Sequence, residues 1–165
     1  MLKLHLLVTP LRILLVLAFV FLVVMQVFSV PGDIGHDLQQ APEAAHLLVP
    51  MLVVTELEIL CFQVVIVCTW RLLTMVKRDR IFSEASLVWV NVIVWTFVAA
   101  WLLLLGLAGY LTAVIYVTPE LRDPGIPIVL FGMVLLGAVF VLLVAVLRAL
   151  LRQATALRTE MEAVI

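Results

Sequence analysis

Charge is what this sequence has least of. Asp, Glu, Lys and Arg make up 13% of its 165 residues, about half the share usual in a soluble domain. Cysteine is scarce as well: Cys61 and Cys68 stand alone in one apolar stretch. Seven residues along a helix separate them by about 10 Å, too far for a mutual disulfide, and no Cys/His cluster with zinc spacing surrounds them. Both read as small packing residues. No catalytic motif, cofactor fingerprint or nucleic-acid module occurs, and a net charge of −1 gives no sign of direct nucleic-acid binding. The expectation is a non-enzyme without a cofactor or metal.

What is present is apolar surface. Hydrophobic residues reach 66%, against roughly 45–50% in soluble proteins. A chain this short cannot hide that much in its own core, so lipid is the solvent for most of it. Four apolar runs stand out, at about 11–30, 47–70, 87–117 and 128–147, each long enough for a hydrocarbon core that needs about 20 residues. The fold class expected is all-α, an integral membrane four-helix bundle forming a single domain, with an amphipathic helical tail at 148–165.

The first run has no Ala-x-Ala-type cleavage site after it, so it reads as a retained span. Thr9 suits its cap, Pro10 its first helical position, and Arg12 a snorkelling residue near its end. Pro31 and Gly32 read as its stop, and Asp33 as a helix cap just after that stop. Pro50 falls in the first turn of the second helix, or kinks it if that helix begins near Pro42. Ser83 reads as the cap of the third helix, Phe82 and Leu87 as its hydrophobic staple. The third run is too long for a perpendicular span, and Gly106 and Gly109 offer places for a bend or close contact. Gly109 with Ala113, and Ala145 with Ala149, are small pairs of the kind that let helices approach. A homo-oligomer is one candidate outcome of such surfaces.

Nine of the ten Lys and Arg residues lie in the N-terminal segment, the second loop and the tail; Arg122 is the exception. Basic residues accumulate in short cytoplasmic loops, so both ends and the second loop are expected on the cytoplasmic side of a plasma membrane. Trp70, Tyr110 and Tyr116 fall near the expected interfaces.

A few polar residues are out of place in this setting. Glu56 and Glu58 lie inside the second run, where a central carboxylate costs about 2.5–3.5 kcal/mol on insertion scales. Fourteen Leu, Ile, Val and Phe residues in that run offset this at roughly 0.3–0.6 kcal/mol each. Two residues apart is about 200° on a helix, so the glutamates point different ways. Glu56 shares a face with Gln63, Glu58 with Thr55 and Cys61; Gln26 and Asn91 are candidate partners from other helices. Together they form a candidate intramembrane polar site. It would serve as a proton or cation site in a carrier, act only as a polar clasp between helices, or, at a different depth of the span, leave both glutamates in the outer interface. The outer loop contains Asp33, His36, Asp37, Glu43 and His46; of these, Asp33, His36 and Asp37 would share a helical face and are chemically suited to a metal or to pH sensing, but ligand number and geometry have no support.

The most patterned polar surface lies on the basic side. Arg71, Lys77, Arg78 and Arg80 crowd the second loop. In the tail, Leu147, Leu150, Ala154, Leu157, Met161 and Val164 alternate three and four apart, a seam of about two and a half heptads. It could pair with its twin, dock on the basic loop, bind a soluble partner or lie on anionic lipid. The leading expectation is a membrane protein that engages a cytoplasmic partner through Arg71, Lys77, Arg78, Arg80, Leu150, Leu157 and Met161.

Residues Arg71 to Ser86 (RLLTMVKRDRIFSEAS), Val49-Pro50 and the ending Leu157 to Ile165 (LRTEMEAVI) resemble a bacterial membrane family catalogued as domain of unknown function 2975. The basic loop followed by Phe-Ser is the most specific part of the match, which covers nearly the whole chain. The resemblance implies a four-helix membrane protein without an assigned activity. It also implies a small helix-turn-helix regulator as a candidate partner. Glu56 and Glu58 do not belong to the family pattern.

Overall fold

The computed structural model describes residues 2–40, 45–77, 84–118 and 125–163. Among these, Thr118 alone lies outside a helix. The elements are α1 (Leu2–Val24), a π-helical turn (Met25–Ser29), α2 (Val30–Gln40), α3 (Ala45–Lys77), α4 (Glu84–Val117) and α5 (Gly125–Ala163). Four helices are long and apolar enough to cross a membrane, as the four runs require.

The first helix differs from the expectation at both ends. It starts at Leu2, which leaves Pro10 inside α1 and removes Thr9 as its cap. The apolar residues before Pro10 sustain the helix across one missing backbone bond. Nor do Pro31 and Gly32 stop it. Pro31 brings no N–H to the carbonyl of Val27, one turn back, and the chain widens into a π turn over Met25–Ser29 just before the proline. Pro31 then occupies the first turn of α2, where an amide is dispensable. Asp33 lies within α2 and does not cap it. Ser83 and Pro42 lie outside the described residues.

Consecutive long helices pack antiparallel, α1 on α3, α3 on α4, and α4 on α5. The starts of α1 and α4 therefore share an end of the bundle with the finishes of α3 and α5. The most apolar windows of α1 and α5, the two outer helices, contain no buried residue. Phe21, Phe28, Phe131 and Leu136 are among their exposed side chains. Lipid must cover these surfaces.

At the α4–α5 contact, Trp101 Nε1 donates to the carbonyl of Val134 at 2.9 Å, and Phe97 meets Phe140 edge to face with ring centroids 5.0 Å apart. The close approach is at Gly137, whose position faces Trp101. Gly106 and Gly109 do not provide it: open space surrounds both, and α4 continues as α-helix through them. A helix about 50 Å long needs no bend when its surplus length extends past the bilayer. α5 likewise runs unbroken from the last span into the tail.

Candidate functional site

Polar side chains gather at two levels. The first lies within the apolar length of the bundle. The π turn of the first helix carries Gln26, and Gln63 on α3 donates from Nε2 to its Oε1 at 2.9 Å. Gln63 is buried, with 9% exposure. An amide buried among apolar residues requires such a partner, and a π turn is a common way to re-aim one side chain. Glu56 lies two turns nearer the start of α3, with Oε1 enclosed and unpartnered. Glu58 is half-buried on the same helix.

The structure thus brings Gln26 and Gln63 together. Asn91 belongs elsewhere: it lies near the start of α4 and lines a cavity with Arg148 and Arg152 of α5. Its Oδ1 is buried without a hydrogen-bond partner.

The second level is the end shared by the basic residues. Arg12 Nη2 donates to Thr74 Oγ1 at 3.1 Å, and the Thr74 hydroxyl donates to the Trp70 carbonyl at 2.9 Å. The Arg12 guanidinium also lies 5.2 Å from the centre of the Trp70 ring. Arg71, the next residue, stands 5.7 Å over the ring of Trp89 on α4. Two stacked cation–ring pairs therefore join α1 to α3 and α3 to α4. The Arg12 guanidinium, ten residues into α1, is thus held against α3 by a ring and a hydroxyl.

Sequence reasoning missed these pairs, although Arg71 beside the interfacial Trp70 was a usable signal for one of them. It placed Tyr110 near an interface but missed its partner: the hydroxyl donates to the His46 carbonyl at 2.8 Å near the opposite end. Lys77 closes α3; Arg78 and Arg80 lie outside the described residues. Leu150, Leu157 and Met161 are exposed on α5, at 55%, 62% and 65%.

His36 and Asp37 are exposed on α2, and Glu43 lies outside the described residues. Among the described residues, no group of three His, Cys, Asp or Glu side chains is placed to hold a metal.

Four long apolar helices with most of their large side chains turned outward define a multi-pass membrane bundle. The chain belongs to the family described as protein of unknown function (DUF2975), whose model matches residues 34–165. No curated protein and no solved structure matches it.

Proposed function

We propose that this protein is a non-enzymatic multi-pass membrane protein whose basic end docks a helical cytoplasmic protein through the outward seam of α5. One observation carries the reading: Leu150, Leu157 and Met161 form an exposed apolar stripe on an unbroken helix. At about 100° per residue, that stripe points roughly opposite to Arg148, Arg152 and Thr155, which face α4. The tail therefore does not spend its seam on its own bundle.

Lipid is a poor cover for the outer half of the stripe. Leu157 and Met161 lie ten and fourteen residues past Leu147, where the last uncharged apolar run ends, which is about 15 and 21 Å along a straight helix. The excess of Lys and Arg at this end supports a cytoplasmic placement. A small helix-turn-helix regulator, the partner implied by the family resemblance, would offer a helix of suitable size.

The test is capture from the native cell with the full-length protein in detergent, followed by binding of the purified captured protein. A stoichiometric helical protein that binds the parent chain and loses it on Leu157→Glu with Met161→Glu supports the reading. Binding indifferent to those substitutions overturns it. So does a change only in the protein's own oligomeric mass, which would assign the seam to a second copy.

A second reading rests on the unpartnered Oε1 of Glu56: a proton-coupled carrier in which that carboxyl exchanges a proton. Unchanged pH-dependent flux in proteoliposomes of the Glu56→Gln, Glu58→Gln double variant would remove it.

A further inference from the structure

Between the start of α4 and the far part of α5 lies a cavity of about 370 Å³, lined by Leu87, Val88, Asn91, Arg148, Arg152 and Thr155 among others. Arg148 and Arg152 are one turn apart on the same face of α5. Two guanidinium groups lining one half-enclosed space repel each other, and an anion placed between them relieves that repulsion. Phosphate matches their planar forks best. The opposite wall holds Asn91, with Oδ1 enclosed and lacking a donor. Thr155 does not supply one through its own hydroxyl, which donates to the Leu151 carbonyl at 2.9 Å. An occupant that satisfies the whole cavity carries a negative charge and a neutral hydrogen-bond donor. An ammonium donor would meet the repulsion of both arginines.

We propose that this cavity binds a hydroxyl-bearing phosphate ester, with its phosphate on Arg148 and Arg152 and its hydroxyl donating to Asn91 Oδ1 once that amide turns toward the cavity. Both a phosphatidylglycerol headgroup and a soluble glycerophosphate present this chemistry. The position, where the last apolar run gives way to Arg148, is the level at which lipid headgroups lie. The cavity and the seam occupy opposite faces of α5, so either can fail without the other.

Native mass spectrometry of the full-length protein in detergent tests the site, using phosphatidylglycerol, phosphatidylmethanol or phosphatidylcholine as the probe. One phosphatidylglycerol should bind in preference to phosphatidylcholine. Arg148→Gln with Arg152→Gln should lower its occupancy by about tenfold or more, since hydrogen bonds to charged groups are the strong ones. The Lys pair at the same positions should retain part of it, while circular dichroism shows both pairs equally helical. Asn91→Leu should erase the preference for phosphatidylglycerol over phosphatidylmethanol, which carries the same charge but no headgroup hydroxyl. Displacement of the lipid by glycerol 1-phosphate would assign the site to a soluble ester; retention would assign it to the lipid. Equal loss in Arg71→Gln, a change remote from the cavity, would reduce the effect to general surface charge and overturn the proposal. Unaltered binding in the Gln pair would overturn it as well.

Discussion

Trp101 on α4 and Gly137 on α5 fit each other: a Cβ at position 137 would stand 2.8 Å from Trp101 Cδ1. The indole cannot simply swing aside, because its Nε1 donates to the Val134 carbonyl at 2.9 Å. Gly137→Ala should therefore push α4 and α5 apart and lower stability by about 1–3 kcal/mol, the range of an overpacked contact. Gly106→Ala and Gly109→Ala meet open space inside a continuous helix and should be neutral or stabilising by up to about 1 kcal/mol. Thermal unfolding in a fixed detergent measures all three. A Gly137→Ala protein as stable as its controls would show that the indole is not held.

That contact also marks where the sequence stops being legible. The four spans could be read because long apolar runs admit one interpretation, and the residues that carry the family resemblance lie in the basic loop and the tail. Which helix faces meet could not be read in the same way. Lipid and a neighbouring helix are equally apolar, so Gly137 looks no different from Gly106 until the bundle is assembled. The candidate polar site was legible by residue type and not by pairing. Gln26 and Gln63 stand out among apolar neighbours, but their meeting depends on a π turn that Pro31 disguises as a helix stop. Asn91 stands out equally, and it belongs to the basic end because α4 begins there.

Gln26 and Gln63 allow the clasp to be measured. A double-mutant cycle with Leu at each position should give a coupling of about 0.6 kcal/mol, and no more than roughly 1.7, as interhelical hydrogen bonds in membranes do. Each single Leu variant leaves one buried amide alone and should be the less stable state. The double variant should recover much of the loss, since removing both partners spares the desolvation of either. Additive losses in unfolding experiments would mean that the two amides act independently.

Glu56 makes the opposite prediction. With Oε1 enclosed and no donor near it, the carboxyl desolvates without compensation. Glu56→Leu should raise the unfolding free energy by about 1 kcal/mol or more, the low end of the penalty for an unsatisfied buried group. Glu56→Gln should change it much less. If Glu56→Leu is destabilising instead, the carboxyl has a partner in the bilayer, and water or a second chain is the place to look for it by hydrogen exchange.

Tyr110 and Pro50 are linked through a carbonyl that neither owns. In α3 the acceptor at His46 expects an N–H from the residue four positions on, and that residue is Pro50, which has none. The Tyr110 hydroxyl donates there at 2.8 Å, so a side chain from α4 meets a requirement created by a proline in α3. Tyr110→Phe should therefore cost about 1 kcal/mol in the parent, a typical net hydrogen bond. In a Pro50→Ala background the helix supplies its own N–H, and the same change should cost distinctly less. The sign of this coupling separates the reading from simple packing, because packing of the ring is the same with or without the proline. Equal losses in both backgrounds, measured by chemical unfolding in one detergent, would show that the hydroxyl does not replace the missing amide.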